Sequence, residues 1–435
     1  MSCNHATKTT MLLIPLVIVG GAWCGSASAQ VDFEFTDSGQ VLGQNSRSTA
    51  TGDVDGDGDL DAVITYFDPE VPNAPTRIWI NDGSGTFSDS GQQLGFNGNS
   101  VALGDLDGDD DLDVMIAYGA GLGAPNTVWI NDGTGNFSDS GQLLGNARSY
   151  AITLGDLDGD QDLDALVTNY QQADAVWTND GSGNFTNSDQ LVEIIYSLSS
   201  ALGDLDGDGD LDAVVANYLG RPNQILFNDG TGTLTDSGQE LGTGYSQKAV
   251  LGDLDGDGDL DLFVANGNGL SGQVNTVWLN DGAGTFSNSG QVLESVLSVG
   301  VDLGDLDDDG DLDAVVAGFG VPNSILLNDG NGIFTQTGPG FGNSHSIAVD
   351  LGDFDGDGRL DALIGNTVND SNLVWFQRTR CVGDLDGDRV VGGGDLGLLF
   401  IAWGACGDCD ADLDGDGSVG GSDLGLLFIA WGNCP

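Results

Sequence analysis

The sequence predicts an all-β fold, a seven-bladed β-propeller closed by an N-terminal strand, followed by a small α-helical module. The pattern Asp-x-Asp-x-Asp-x-x-Leu-Asp occurs seven times in 435 residues, at intervals of 48 to 52 residues. Each interval holds four short apolar or alternating segments and shows no helical periodicity. The last 55 residues carry a different, duplicated pattern. We therefore predict one large repeat domain and one small domain.

Residues 1–29 have the features of a secretory leader. Lys8 precedes an apolar run from Met11 to Trp23, and Ala27-Ser28-Ala29 forms a cleavage site ahead of Gln30. The run is short for a membrane span, and no later apolar run is longer. We expect a secreted protein, extracellular or at the cell surface, with no membrane span.

Each repeat is predicted to form four strands. An apolar segment ends in Gly-Asp, the acidic loop follows, and a β-branched run such as 213–216 comes next. A third run such as 127–130 leads into an Asn-Asp-Gly turn and a last strand such as 136–140. Four-stranded units at about this period are typical of propeller blades.

The two ends of the array predict how the ring closes. The seventh repeat stops after Val374-Trp375-Phe376 without a fourth strand, whereas residues 33–38 stand alone ahead of the first repeat and match the missing strand. We expect the N-terminal segment to complete the last blade, so that no sheet edge is left exposed. The predicted propeller covers residues 30–378.

The acidic loops predict calcium as the cofactor. Oxygen side chains at alternate positions of a short Gly-rich loop can converge on one hard cation with six to eight ligands. The net charge is -58, with 68 acidic and 10 basic residues, and 28 of the Asp occupy positions 1, 3, 5 and 9 of the seven loops. We therefore expect up to seven Ca²⁺ ions and a calcium-dependent fold. So acidic a chain is a poor partner for nucleic acid or an anionic membrane.

These loops resemble the FG-GAP or VCBS-type repeats of integrin-like propellers, over residues 31–378. The resemblance implies side-chain ligands at positions 1, 3, 5 and 9 and a backbone carbonyl at position 7. The ligands carried over, loop by loop, are Asp53, Asp55, Asp57, Asp59 and Asp61; Asp105, Asp107, Asp109, Asp111 and Asp113; Asp156, Asp158, Asp160, Asp162 and Asp164; Asp204, Asp206, Asp208, Asp210 and Asp212; Asp253, Asp255, Asp257, Asp259 and Asp261; Asp305, Asp307, Asp309, Asp311 and Asp313; and Asp353, Asp355, Asp357, Arg359 and Asp361.

Some loops depart from this pattern. Asp110 and Gln161 replace the Gly of position 6 in the second and third loops, where we expect weaker or more strained binding. Asp308 stands at position 4 of the sixth loop. Arg359, at position 7 of the seventh loop, is harmless if only its carbonyl binds the ion.

One position of the third strand carries an aromatic residue in six of the seven repeats and Leu in the other. Sugar stacking and packing between blades both fit this position, and the presence of Phe and Leu there favours packing. The residues are Trp79, Trp129, Trp177, Phe227, Trp278, Leu327 and Trp375.

In antiparallel blades the connections alternate between the two faces of the disc. The acidic loops and the Asn-Asp-Gly turns share one face, and the loops between strands two and three share the other with the connectors between blades. We expect an extracellular protein or polysaccharide ligand on that second face, because variable loops on a rigid scaffold are the usual binding sites. Its candidate residues are Tyr66, Tyr118, Tyr170, Tyr218, Arg47, Phe96, Arg148, Tyr150, Tyr196, Tyr245 and His345.

Residues 379–435 form the small module. Segments 381–406 and 409–434 are near-duplicates, each with the spacing of a twelve-residue EF-hand-like loop followed by one helix. This pair resembles a dockerin, which implies up to two further Ca²⁺ ions and a docking partner, cohesin-like or other. Gly393-Gly394 and Gly421-Ser422 stand where dockerins usually carry recognition side chains, which puts a standard cohesin in doubt. The implied ligands are Asp384, Asp386, Asp388, Val390 and Asp395, and Asp412, Asp414, Asp416, Ser418 and Asp423.

The helices of this module have apolar residues all round. In the first of them Leu396, Leu399, Phe400 and Trp403 share one face, while Leu398 and Ile401 lie opposite. Helices of this kind are buried or docked. Packing within the protein and a partner surface both remain open.

Four cysteines of this module should be oxidised in an exported protein. The antiparallel helix packing that a dockerin-like duplication implies would pair Cys381 with Cys434 and Cys406 with Cys409, although four cysteines allow three connectivities.

Two classes of function fit these features. The first is a non-catalytic binding or adhesion propeller with a docking module, and the second is a carbohydrate-active enzyme or accessory subunit, similar to a polysaccharide lyase. After the leader the chain has one His, His345, one Lys and five Glu, and no acid–base pair recurs. These counts favour the binding module, as opposed to an enzyme, and a purely structural protein would share its features. The five Glu are Glu34, Glu70, Glu193, Glu240 and Glu294.

Overall fold

The computed structural model describes residues 33–67, 73–119, 124–267, 272–293, 295–379, 381–386, 390–405, 409, 411–413 and 417–433. The predicted leader lies outside these residues. Within the described ranges, no helix is long and apolar enough to cross a membrane.

Strands fill the repeat region. The N-terminal strand is β1 (Phe33–Gln44). The first repeat forms β2 (Ser46–Gly52), β3 (Asp61–Tyr66), β4 (Pro75–Asn81), β5 (Phe87–Asp89) and β6 (Leu94–Phe96), and the second forms β7 (Ser100–Gly104), β8 (Asp113–Ala117), β9 (Thr127–Asn131) and β10 (Phe137–Asp139). The third forms β11 (Ser149–Gly155), β12 (Asp164–Asn179) and β13 (Phe185–Gly203), which continues into the fourth, with β14 (Asp212–Asn217), β15 (Asn223–Phe227) and β16 (Thr235–Leu241).

The later repeats follow the same plan. The fifth forms β17 (Ser246–Gly252), β18 (Asp261–Asn266), β19 (Gln273–Val274), β20 (Thr276–Leu279), β21 (Ser287–Asn288) and β22 (Ser295–Val296). The sixth forms β23 (Ser298–Gly304), β24 (Asp313–Gly318), β25 (Asn323–Asn328) and β26 (Phe334–Phe341), and the seventh β27 (Ser346–Gly352), β28 (Asp361–Asn366) and β29 (Ser371–Thr379).

Each repeat builds an antiparallel sheet in chain order, and the long strand β13 joins the third and fourth sheets. The seventh sheet has the order β27-β28-β29-β1, because the N-terminal strand pairs antiparallel with β29, with Phe33 opposite Thr379 and Asp37 opposite Trp375. The first strands of successive repeats pack side by side, and β27 also packs against β2. The sequence prediction that residues 33–38 supply the last sheet's outer strand agrees with this pairing.

The second strand of each repeat is the most buried element. All six residues of β14 are buried, for example, since neighbouring sheets cover both of its faces. The apolar clusters between sheets contain the recurrent rings of the third strand, such as Trp177 beside Val128 and Phe185, and Trp375 beside Phe341. The interpretation of these rings as packing between sheets is therefore confirmed.

A Leu–Gly contact joins each acidic loop to its neighbour. The Leu at position 8 of one loop lies over the Gly that ends the first strand of the preceding repeat, so a Cβ added at Gly52 would lie 2.6 Å from Cδ1 of Leu112. This close approach explains why Gly precedes every loop and Leu occupies position 8. The other pairs are Gly104–Leu163, Gly155–Leu211, Gly203–Leu260, Gly252–Leu312, Gly304–Leu360 and Gly352–Leu60.

The Asn of the Asn-Asp-Gly turn forms a second link between repeats. Nδ2 of Asn131 donates to the carbonyl of Val54 in the preceding loop at 2.8 Å and to that of Leu112 in its own loop at 3.1 Å. The links to the preceding loop in the other repeats are Asn81 to Phe354, Asn179 to Leu106, Asn228 to Leu157, Asn280 to Leu205, Asn328 to Leu254 and Gln377 to Leu306.

We expect Asn131→Ala to destabilise the fold by about 1–3 kcal/mol, because two buried carbonyls would lose their donor. Asn136→Ala is the matched control in the same turn, since Asn136 is exposed and donates to Asp132 and Thr134 on the surface. Chemical denaturation in calcium measures both variants. Equal losses would contradict a special role for Asn131.

The C-terminal module is a duplicated strand–helix–strand unit. It comprises β30 (Val390–Val391), α1 (Gly393–Ile401), β31 (Gly404–Ala405), β32 (Ser418–Val419), α2 (Gly421–Ile429) and β33 (Gly432–Asn433). The two copies interlock, because β30 pairs with β33 and β31 with β32. Leu399 and Leu427 are buried in the shared core, whereas Ile401 and Ile429 are 83% and 84% exposed.

Cys381 and Cys409 each take part in a disulfide bond, and both pack against this core. Cys406 and Cys434 lie outside the described residues. The predicted pairing therefore remains a prediction.

Candidate metal sites and the opposite face

The first Asp of each acidic loop organises the loop backbone. Both carboxylate oxygens of Asp53 accept backbone N–H groups, from Gly56 at 2.8 Å, Asp57 at 3.2 Å and Gly58 at 2.9 Å. Asp57 in turn accepts the N–H of Asp59 at 3.1 Å. The chain is thus wrapped around its own carboxylates, and this wrapping turns the alternate side chains toward one point.

The predicted ligands converge. In the second loop, one oxygen from each of Asp105, Asp107 and Asp113 lies within 4.8 Å of the others. Such separations suit oxygens that share one ion at about 2.3–2.6 Å. Comparable triplets are Asp53, Asp55 and Asp57; Asp156, Asp158 and Asp164; Asp204, Asp206 and Asp212; and Asp253, Asp255 and Asp261.

The Asp at position 3 shows most clearly that the donor set fits a cation. In five loops its Oδ1 is buried and has no hydrogen-bond partner within the described ranges. A buried anionic oxygen without a partner is costly, and a bound cation would remove that cost. The residues are Asp55, Asp107, Asp158, Asp255 and Asp355, the last of which pairs with Arg378 through its other oxygen, Oδ2. The donor set therefore fits a hard divalent cation.

The Asp at position 9 is fixed by the backbone. Asp61 is fully buried, and its carboxylate accepts the N–H groups of Val54 at 3.0 Å and Asn81 at 2.8 Å. In the metal-free chain, burial outweighs these bonds and raises the pKa of Asp61 to about 6. The same cause raises the pKa of Asp113, Asp164 and Asp261 to about 6 and that of Asp313 and Asp361 to about 7.

These shifts predict opposite pH dependences with and without calcium. A carboxyl whose pKa is raised on folding contributes stability below its unfolded pKa of about 4, and this contribution is lost as the pH rises through about 6 to 7. In EDTA the thermal midpoint should therefore be higher at pH 5 than at pH 7.5. In calcium the order should reverse, because the ion binds the deprotonated carboxylates. Thermal scans at both pH values decide this, and the same order in both buffers would contradict it.

The loops that depart from the pattern contain left-handed residues. Asp110 and Gln161 have φ of 71° and 76° at position 6, where Gly58 has 95°. Asp308 has φ of 61° at position 4. Residues other than Gly are sterically strained at positive φ. Weaker calcium binding by these loops stays a prediction.

The seventh loop differs through its arginines. The guanidinium of Arg378 forms ion pairs with Oδ2 of Asp355 and, at 2.9 Å, with Oδ2 of Asp357. Arg359 also reaches Asp357, at 2.9 Å. Arg378 occupies the place of the Asp in the Asn-Asp-Gly turns of the other repeats. From the sequence we considered only the carbonyl of Arg359 and did not predict this pairing, although the change from Asp to Arg at position 378 was visible.

The C-terminal loops close on their last Asp. Oδ1 of Asp395 accepts the N–H of Leu385 at 2.7 Å and Oδ2 that of Gly392 at 2.6 Å. Burial opposes ionisation, but these backbone bonds outweigh it and lower the pKa of Asp395. Asp423 repeats both bonds with Leu413 and Gly420. The predicted ligands Asp388, Asp414 and Asp416 lie outside the described residues.

On the opposite face, the structure separates the predicted tyrosines into two groups. Tyr66 and Tyr118 are buried, 5% and 8% exposed, and Tyr66 donates to the carbonyl of Leu42 at 2.8 Å. Their placement in a binding face was wrong, because their rings fill the space between sheets. The other five, Tyr150, Tyr170, Tyr196, Tyr218 and Tyr245, are half-buried and adjoin one another.

His345 belongs to a separate part of that face. Its Nδ1 lies 2.8 Å from the carboxylate of Asp370, and its ring packs edge-on against Phe319 with centroids 4.8 Å apart. Phe96 is 48% exposed. The aromatic contacts of the half-buried tyrosines join the third to fifth repeats instead.

Comparisons with known proteins agree with this architecture. The FG-GAP-like repeat matches six overlapping segments, residues 53–116, 105–167, 156–215, 204–264, 253–316 and 305–364. No curated protein matches the chain in sequence.

Solved structures add evidence on the fold. A structure described as BBS1N in complex with ARL6DN, soaked with lead, aligns with a TM-score of 0.55 at 12% identity, over 80% of this chain and 97% of that one. A mercury-soaked form of the same complex aligns with a TM-score of 0.54 at 11% identity, over 79% and 96%. At these identities the likeness is one of fold alone.

Proposed function

Because the chain belongs to the FG-GAP-like repeat family, we propose that it is a non-catalytic binding module, a closed seven-bladed β-propeller whose acidic loops hold calcium. The links between successive repeats support the closed ring, since they include Gly352 with Leu60 and Asn81 with Phe354, from the seventh repeat to the first. FG-GAP repeats also suggest a binding role, and they are typical of extracellular proteins. We propose residues 1–29 as the leader, 30–378 as the propeller and 379–435 as a dockerin-like module with its own docking partner.

One observation carries the calcium proposal. Among the described residues, buried carboxylate oxygens recur without a hydrogen-bond partner at position 3 of five loops, on a chain with a net charge of -58. Calcium is favoured over magnesium because each loop offers several carboxylates and a carbonyl, which suits a cation that takes six to eight oxygen ligands, whereas magnesium usually keeps several waters. Bound ions would cancel repulsion within each loop and stiffen the face opposite the half-buried tyrosines.

The seventh loop should bind calcium most weakly. Arg378 already neutralises the carboxylates of positions 3 and 5, and an entering ion would have to displace it. The other six loops have an Asp at the position of Arg378. We therefore expect six propeller sites to fill first.

Arg378→Asp should tighten the seventh site, because it removes the competing cation and adds an acceptor. We expect at least about tenfold stronger calcium binding at that site, which corresponds to 1.4 kcal/mol. Calcium titration calorimetry on the full-length chain should show one more site filled below 1 mM. Arg77→Asp is the matched control. It makes the same change of charge, but at a position on β4 where Arg77 pairs with Asp89 of β5.

Two results would contradict these claims separately. If the parent protein binds no calcium, the calcium proposal fails. If it binds calcium and both Asp variants behave alike, only the role assigned to Arg378 fails.

The alternative of an enzyme finds less support. A lyase or hydrolase needs a positioned acid and base. The structure brings His345 to Asp370 and Phe319, and it gathers the half-buried tyrosines elsewhere. We therefore propose no catalytic step and assign binding to the face opposite the acidic loops.

A further inference from the structure

Five of the seven tyrosines form one patch, which we call the tyrosine patch: Tyr150, Tyr170, Tyr196, Tyr218 and Tyr245. Ring centroids lie 5.3 Å apart between the first two of these, 5.1 Å between the second and third, and 5.1 Å between the last two. Burial, and to a smaller extent the phenols of Tyr170, Tyr245 and Tyr150, raise the pKa of Tyr218, so Tyr218 lies within electrostatic range of both groups of rings. All five rings are half-buried, so they keep part of their surface open to solvent.

Cations adjoin this patch. The guanidinium of Arg148 lies over Tyr170, 4.9 Å from the ring centroid, and its Nε is buried without a hydrogen-bond partner among the described residues. Arg47 lies over Phe67 at 4.7 Å. Arg221 precedes β15 on the same face. With Lys248, this face carries four of the ten basic residues of a strongly acidic chain.

A central cavity continues the patch. Its volume is about 220 Å³, and it lies among the first strands, where each strand begins. The lining includes Tyr150, which also belongs to the tyrosine patch, together with Arg47, Lys248, Asn99 and Asp350. In the described part of the chain, the side chains of Arg47 and Lys248 form no hydrogen bond or close ion pair, although the charge of Lys248 counters the rise that burial causes in the pKa of Asp302 and Asp350. Oδ2 of Asp350 is buried and also lacks a hydrogen-bond partner there.

Resting on the proposed binding function, we propose that the tyrosine patch and the central cavity together bind an acidic polysaccharide built of uronic acid units. Sugar rings would lie against the open tyrosine faces, and their carboxylates would pair with Arg148, Arg47 and Lys248. One terminal ring would enter the cavity, whose lining includes Asn99 and Lys248.

The local charge of this face, unlike the net charge of the chain, favours an anionic ligand over a basic protein. A basic protein would be drawn to the acidic loops on the other face, which carry most of the negative charge. An anion finds unpaired cations only where they gather, at the patch and the cavity in the described part of the chain. The mixture of phenols, amides and guanidinium groups also suits a hydroxylated ligand better than the dry apolar core of a protein interface.

The test is titration calorimetry on the full-length, calcium-loaded protein with tetragalacturonate and, as the neutral counterpart, galactotetraose. We expect the uronate to bind, the neutral sugar to bind at least about tenfold more weakly, and the uronate affinity to fall with added salt. Lys248→Gln and Arg148→Gln should each weaken uronate binding by about tenfold. Tyr170→Ala should also weaken it, whereas Arg77→Gln, on the outer part of the first sheet, should not.

Each outcome decides the proposal. Equal binding of both sugars, equal binding of inorganic sulfate, or unchanged affinity in the Lys248 and Arg148 variants would overturn it. Absence of any sugar binding would also overturn it and would favour a protein partner. The calcium-dependent thermal midpoint of every sample, measured alongside, separates these outcomes from misfolding and from failure of the calcium proposal.

Discussion

Chelation of calcium by EDTA is expected to lower the free energy of unfolding of the full-length chain by about 8 kcal/mol. Extracellular calcium sites have dissociation constants of about 0.1–1 mM, so a tenfold excess of calcium stabilises each site by about 1.4 kcal/mol, and six sites contribute together. A loss of this size rivals the whole stability of a typical domain. The loops should loosen first, because in the described part of the chain five of them hold a buried carboxylate oxygen that has no hydrogen-bond partner.

Thermal unfolding followed by circular dichroism measures this effect, in calcium and in EDTA. Re-addition of excess calcium is the control, and it should restore the original midpoint. An EDTA-treated protein that melts at the same temperature as the calcium-loaded one would show that the loops are not metal sites.

Deletion of residues 31–39 should have a comparable effect through a different cause. It removes most of the strand that pairs with β29, and with it Phe33 and Phe35, which are 7% and 8% exposed. Phe35 stacks on Phe341 with centroids 4.6 Å apart. Loss of a buried Phe costs about 3–5 kcal/mol, and the freed edge of β29 is open to another chain.

We therefore expect aggregation or exchanged dimers, which size-exclusion chromatography with light scattering will detect. Glu34→Ala is the matched control, since Glu34 lies on the same strand with its side chain exposed. A shortened protein that remains monomeric and melts like the parent would contradict N-terminal completion of the last sheet.

Periodicity made much of the architecture predictable. The spacing of the acidic loops located the strands on either side of them, and the missing strand after Phe376 pointed to residues 33–38. The inward placement of Trp177 and Trp375 followed from the tolerance of Phe and Leu at the same position. These features depend on short-range sequence pattern, which a single chain displays directly.

Contacts between repeats were harder to predict. The Asn of the Asn-Asp-Gly turn was interpreted only as a turn residue, whereas Asn131 also donates to the loop of the preceding repeat. Tyr66 and Tyr170 occupy similar places after the second strand, yet one is buried and the other belongs to the tyrosine patch. These differences arise from the neighbouring sheet, which the sequence of one repeat does not specify.

The most direct test of the calcium proposal is anomalous X-ray diffraction from crystals of the full-length protein grown in calcium. We expect anomalous peaks between the carboxylates of positions 1, 3, 5 and 9 in the first six acidic loops, and a weak peak or none beside Arg378 in the seventh. Ordered loops without any anomalous peak, in crystals that contain millimolar calcium, would contradict it.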